Sequence, residues 1–371
     1  MREVRSRTYE SLDLWRGFAA ILVVLFHCIA NITSEPARAQ NTNFFVDFCL
    51  WGDVGVSLFF VISGYCISAA AANTMDRGQQ TRQFLVARLR RIFPTYLASL
   101  FLFILAAGMA WFAQRSGTIG TSKLAEMFTS LTPRLVLTNS LLIQVPLKEE
   151  SITLVSWSLC YELSFYAIVA VSIFAFRKQG WQVMVKALHC VTLIALTIAT
   201  FAPQWASFPF DRWICFGEGV LLFDMLCGQP WANRTRQGRG FLLVVISLVS
   251  GLVATKVFYA GEGYHAAWNV AIGSVFAVVL YYLHPFDRKV KQTKLLSGIF
   301  FVGSISYSVY LIHVLVIGLF RQIAKKIQVP IHWFGLEMAA ELIVIFVASY
   351  IFYRLVESRF MSHKQRVATV N

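Results

Sequence analysis

Arg16 and His27 stand eleven residues apart in a run, Leu12 to Ala30, that is otherwise apolar except for Asp13. At about 100° per residue, eleven steps make nearly three turns, so both side chains leave one face of a single helix, about 16 Å apart along its axis. A guanidinium forks onto phosphate or carboxylate oxygens, and an imidazole is the side chain best suited to move a proton near neutral pH. Two more ionisable groups lie deep in apolar runs: Glu162, five residues after Trp157, and His313, three residues after Tyr310. Histidines beside carboxylates make a general-base site, because the carboxylate orients the ring and raises its basicity.

Such groups are costly where they stand. An ionisable side chain in the middle of a bilayer costs at least ~2.5–3.5 kcal/mol, so each is a functional candidate by default. With the N-terminus inside, Arg16 lies about 6 Å from the inner boundary, while His27 and His313 lie about 22 and 25 Å above it. Glu162, on a descending helix, lies about 10 Å below the outer boundary, which brings it to the same outer half as the two histidines. Asp53 and Glu218 point to that layer as well. At the inner boundary Arg82, Arg88, Arg90 and Arg91 precede the third apolar run, with Pro94 in its expected first turn. Simpler readings stand beside these. The arginines can be obeying the positive-inside rule, His27 can be a core histidine donating to a carbonyl, and Glu162 with His313 can be a structural intramembrane pair. His189, His265, His284, His332 and His363 fall near helix ends or loops and read as ordinary.

The elements that must hold these groups are membrane helices. Of the 371 residues, 57% are hydrophobic and only 14% charged, with mean hydropathy +0.62. A soluble protein needs nearer a quarter charged. Ten apolar runs are long enough to span a hydrocarbon core of about 30 Å: Leu12 to Ala30, Leu50 to Ala72, Ile92 to Phe112, Val155 to Phe176, Met184 to Pro203, Asp211 to Gly228, Gly240 to Phe258, His265 to His284, Leu296 to Phe320 and Gly335 to Glu357. The first follows Arg2, Arg5 and Arg7 as a signal peptide would, but Asp13, Arg16 and His27 within it favour a retained helix. Counting a basic residue in the end turn of a run with the connection it adjoins, 22 Lys and Arg fall on the N-terminal side and 10 on the other, which puts both termini in the cytoplasm. The formal charge of +14 then belongs to cytoplasmic loops and asks for no nucleic acid. The seven cysteines lack CxxC pairing, so neither a disulfide framework nor a metal site is expected. The connection 119–153, on the outer side, contains an apolar stretch too short to span and suited to a re-entrant segment. The expectation is an all-α polytopic protein, one transmembrane domain over 1–371, in a bacterial inner membrane.

Five blocks carry a family resemblance. The opening Ser11 to Ala20 with its Arg16–His27 spacing, Gly55 to Tyr65, Arg88 to Tyr96, Trp157 to Tyr166 and Gly303 to His313 come in the order found in the acyltransferase type 3 family, which the chain resembles over nearly its whole length. That family transfers acyl groups, usually acetyl, from cytoplasmic acyl-coenzyme A to hydroxyls of extracytoplasmic carbohydrates such as exopolysaccharide, O-antigen or lipochitooligosaccharide. Some members add a C-terminal extracytoplasmic domain, and none is expected here after Glu357.

The resemblance implies His27 as general base or transient acyl carrier, Glu162 as its orienting carboxylate and His313 as an aid to proton movement. Arg16, Arg88, Arg90 and Arg91 would hold the acyl-coenzyme A donor, which is a substrate; no resident cofactor is implied. Asp13, Asp53, Ser63, Trp157, Ser306 and Tyr310 are the supporting candidates, with Ser63, Ser306 and Tyr310 able to donate to an oxyanion. The competing reading is a proton-coupled transporter or flippase built on the same buried groups, although the repeated half common in transporters is not evident. The acceptor glycan, its hydroxyl position, the acyl chain and the oligomeric state stay open.

Overall fold

The computed structural model describes residues 7–33, 44–202, 205–228, 235–259, 264–327 and 334–361. Arg2, Arg5, Pro203, His332 and His363 lie outside them. All regular structure among the described residues is helical. In chain order the helices are α1 (Leu12–Thr33), α2 (Phe44–Leu50), α3 (Gly55–Asp76), α4 (Thr81–Arg115), α5 (Lys123–Ser130), α6 (Pro133–Ser140), α7 (Trp157–Ala175) and α8 (Trp181–Phe201). They continue with α9 (Trp213–Cys227), α10 (Arg236–Tyr259), α11 (Tyr264–Leu283), α12 (Asp287–Lys291), α13 (Ser297–Ser304), α14 (Ser306–Ile327) and α15 (Phe334–Phe352). A π-helical turn, Tyr353–Glu357, extends α15.

Among the described residues, 8 helical segments are long and apolar enough to cross a membrane, and the chain is a multi-pass membrane protein. Eight of the expected runs correspond to them. Of the remaining two, the sixth run holds α9, whose 15 residues reach only about 22 Å, and the seventh holds α10, which contributes the shorter apolar stretch Gln237–Gly251. Helix α4 corrects the sequence reading of its start. It begins at Thr81, so Arg82, Arg88, Arg90 and Arg91 are on the helix rather than before it, and Pro94 lies in its interior. Hydropathy marks where the hydrocarbon begins, whereas the helix needs only backbone hydrogen bonds and continues into the polar layer. The ninth run is also divided, at Ile305 between α13 and α14.

The chain forms two compact units, and their limits fall inside α1, α4, α7 and α13 and in the turn before α3. The first comprises Met1–Ala19, Asp53–Arg88 and Tyr161–Gly303. In it α3 packs on α9 and α10 on α11. Glycines let two of these backbones touch: a Cβ on Gly64 would come 2.2 Å from the carbonyl oxygen of Phe216, and one on Gly219 2.1 Å from that of Val61. Small residues serve membrane helices in this way because lipid offers no hydrophobic drive for association, leaving close packing to hold the pair. Helix α1 meets α13 similarly, since a Cβ on Gly303 would overlap the carbonyl of Asp13 at 1.6 Å. Gly303→Ala is expected to lower stability by about 1–3 kcal/mol, the usual cost of overpacking, read as a lower unfolding midpoint in detergent.

The start of α1 is held from a distance in sequence. Asp287 accepts the backbone N–H groups of Glu10 and Ser11, each at 2.7 Å, and the Tyr9 hydroxyl donates to the carbonyl of Leu280 at 2.7 Å. These contacts occupy donors that precede the first helical turn and fix where Asp13 and Arg16 sit. Asp287→Ala should destabilise the protein by about 1–2 kcal/mol, and the first turn of α1 should show faster amide exchange.

The second unit comprises Ala20–Gly52, Leu89–Cys160 and Ser304–Asn371. Here α14 packs on α15, and Ile29, Val46, Cys49 and Met338 form one apolar cluster. The segment 119–153 carries α5 and α6 followed by a chain of turns tied to Asn139. Its amide donates to the carbonyls of Leu135 and Glu150 and its oxygen accepts from the N–H of Ile152, all at 2.9 Å, while the Tyr96 hydroxyl donates to its carbonyl, also at 2.9 Å.

The division at Ile305 has a partner too. Ser306, Tyr307 and Ser308 open α14, where N–H groups lack intrahelical acceptors. Glu357, brought round by the π-helical turn, accepts the N–H of Ser308 at 3.1 Å and its hydroxyl as well.

Candidate active site

Two clusters hold the candidate residues, one in each unit. In the second unit the rings of His27 on α1 and His313 on α14 lie 5.1 Å apart, tilted at 46°. His27 is half-buried, with Phe26 edge-on at 4.9 Å. His313 is 0% exposed. Its Nδ1 lies 3.0 Å from the carbonyl of Val309, one turn earlier on the same helix. A carbonyl only accepts, so Nδ1 carries the hydrogen, and in the neutral ring the lone pair is on Nε2. That Nε2 is buried with no hydrogen-bond partner among the described residues.

Tyr310 flanks His313 at 6.0 Å between ring centres. Its hydroxyl lies 2.7 Å from the Ser158 hydroxyl and donates to the carbonyl of Val155 at 3.1 Å. The Tyr310 proton is therefore in use within the fold, and the residue ties the start of α7 to α14 beside the imidazole. Trp157 is the first residue of α7 and Ser306 the first of α14.

In the first unit Arg16 donates to Asp13 at 2.6 Å and to the Cys66 sulfur at 3.1 Å, with Glu162 among the charges acting on it. Glu162 in turn accepts on Oε1 from Ser63 at 3.2 Å and from Tyr166. The structure thus pairs Arg16 with Asp13 and Ser63 with Glu162, and the Glu162 charge acts on the guanidinium without a hydrogen bond to it. The guanidinium already pairs with Asp13 and feels the charge of Glu162, which makes it a compensating charge and a poor anchor for a further free phosphate. Asp53 is in the 3-10 turn, Gly52–Val54, that leads into α3.

The arginines of α4 differ from one another. Arg88 lies over the ring of Phe84 at 5.9 Å, Arg90 is exposed, and Arg91 acts electrostatically on Glu357. Arg90, like Arg82, is exposed and so freer to meet an anion than Arg88 or Arg91.

Sequence reasoning passed over a buried ionic group in the second unit. Arg321 on α14 donates to Glu341 through Nε at 2.9 Å and through Nη2, and to Glu337 through Nη1 at 2.6 Å. Cys28, next to His27, interacts electrostatically with Glu341. The signal was available, because two glutamates four residues apart in an apolar helix share one face. Tyr166 had the same kind of signal, standing four residues from Glu162. His189, read as ordinary, lies 3.2 Å from Asp224.

A family model described as an acyltransferase domain matches residues 9–356. BcsY of Komagataeibacter xylinus, which carries the name of a membrane-bound transacylase, is 25% identical over 96% of this chain and 84% of its own length. The O-acetyltransferase OatA of Staphylococcus aureus is 23% identical over 95% of this chain, which spans 57% of that protein. The exopolysaccharide production protein ExoZ of Rhizobium meliloti is 29% identical over 40% of this chain and 43% of its own. No solved structure matches.

Proposed function

Because the chain belongs to the acyltransferase domain family and is a membrane-bound O-acyltransferase, we propose that it moves an acetyl group from cytoplasmic acetyl-coenzyme A to a carbohydrate hydroxyl across a bacterial inner membrane. The observation that carries this reading is the imidazole pair of His27 and His313. In the reaction the hydroxyl oxygen forms a bond to the acyl carbon, the carbon–sulfur bond breaks, and the hydroxyl proton ends on the sulfur of coenzyme A. Two neighbouring imidazoles in a low-dielectric setting suit that transfer, since one proton must leave an oxygen and reach a sulfur. An exopolysaccharide acceptor is supported by the name of ExoZ, and an acetyl group on oxygen by that of OatA.

The rest of the assignment follows the same reading. Ten spans with both termini inside would put the α4 arginines on the donor side, where Arg90, helped by Arg88 and Arg91, meets the phosphates of the donor. The group of Arg16, Asp13, Ser63 and Glu162 keeps α1, α3 and α7 in register through charge compensation. The segment 119–153 would meet the acceptor. Purified full-length protein, given acetyl-coenzyme A and a panel of soluble oligosaccharides, should release free coenzyme A and O-acetylated sugar in equal amounts. Failure to produce acylated sugar from acetyl, succinyl or longer-chain donors would remove this reading.

A further inference from the structure

The two histidines are not equivalent, and their difference assigns the direction of proton flow. His313 is wholly buried and has its Nδ1–H committed to Val309 at 3.0 Å. Its Nε2 lone pair has no hydrogen-bond partner among the described residues. A buried acceptor without a donor is costly and seldom left so, and this one faces a demand that a hydroxyl can meet. His27, 5.1 Å away between ring centres, is half-buried.

Resting on the acyltransferase reading, we propose that His313 is the base that takes the proton of the acceptor hydroxyl at Nε2, and that His27 delivers a proton to the departing coenzyme A thiolate. The hydroxyl oxygen attacks the thioester carbon as its proton passes to Nε2 of His313. The proton passes from His313 to His27, and as the carbon–sulfur bond breaks the departing thiolate takes that proton from His27. Both rings are restored, so one proton has moved from oxygen to sulfur and nothing else is consumed. The tautomer is set by Val309, which means that His313 needs no carboxylate beside it to present the correct nitrogen.

The assignment predicts a crossed rescue. Transfer by the full-length protein is measured for the wild type, His313→Gln and His27→Gln with two donors, acetyl-coenzyme A and 4-nitrophenyl thioacetate. Two acceptors are used with each, a methyl glycoside that the wild type acetylates and 2,2,2-trifluoroethanol. His313→Gln should lose about 10²-fold or more on the glycoside and recover at least about tenfold, relative to wild type, with the more acidic trifluoroethanol, which needs less help from a base. His27→Gln should not respond to the acidic alcohol but should recover with 4-nitrophenyl thioacetate, whose thiolate leaves without a proton. Each variant is read as a ratio of its own rates, so a loss of folded protein does not imitate either rescue. Activity of His313→Gln close to wild type, exchanged rescues, or a uniform fall across all four combinations would overturn the assignment. A wild type that transfers to no alcohol from either donor would instead overturn the acyltransferase reading on which it rests.

Discussion

His27→Ala is expected to lower acyl transfer by ~10²- to 10⁴-fold, the range that a positioned proton-transfer group contributes, while leaving the protein inserted and folded. The expectation of an intact fold comes from where α1 is held. Its start is fixed by the two N–H groups that donate to Asp287 and by the contact of Gly303 with Asp13. Near its middle, Gly52 lies so close that a Cβ there would come 2.1 Å from the Leu22 carbonyl. None of these contacts uses the imidazole, and alanine is a better helix former than histidine. Turnover per mole of monodisperse protein, compared with wild type at equal recovery, checks the point. Turnover within about threefold of wild type, far short of a 10²-fold effect, would mean that His27 does not handle the proton.

Arg321→Leu should produce the largest loss of stability of any single substitution in the second unit. Arg321 is 9% exposed and faces Glu337 and Glu341, which are 6% and 0% exposed. Removing the cation leaves two carboxylates without compensation in a medium that screens them poorly, a change that costs about 3–5 kcal/mol for a broken buried pair. The thermal unfolding midpoint in detergent should fall steeply. Adding Glu337→Gln and Glu341→Gln to Arg321→Leu should restore part of it, because the neutral amides no longer repel each other. A triple variant less stable than Arg321→Leu alone would show that these side chains act through packing rather than charge.

The all-helical membrane class was legible in the sequence, and so were the candidate groups as residues, but not the contacts that present them. The Arg16–His27 spacing reports one helix face directly, and His313 stands out in an apolar run because an ionisable group there is expensive. The division of the ninth run at Ile305 was not legible, since 296–320 is continuously apolar. What permits the break is Glu357, far along the chain, accepting the N–H that the new helix start leaves unpaired. The start of α4 at Thr81 was missed for a related reason: hydropathy reports depth in lipid, not helix length. The pairing of Arg321 with Glu337 and Glu341 needs two helices to meet, although the i,i+4 glutamates announced one half of it. The Nδ1 bond that fixes the tautomer of His313 depends on side-chain rotamer and ring orientation, which no spacing in the sequence specifies.

The most direct measurement reconstitutes the full-length protein in sealed vesicles, with acetyl-labelled coenzyme A supplied on the side bearing Arg82, Arg88, Arg90 and Arg91 and oligosaccharide acceptors enclosed on the other. Label is expected to reach the enclosed sugar as an O-ester while free coenzyme A accumulates on the donor side, and both changes should vanish in His27→Ala. Unlabelled sugar with intact donor, accompanied by a proton-dependent flux of solute across the same vesicles, would contradict that expectation and make the buried histidines and carboxylates parts of a transporter.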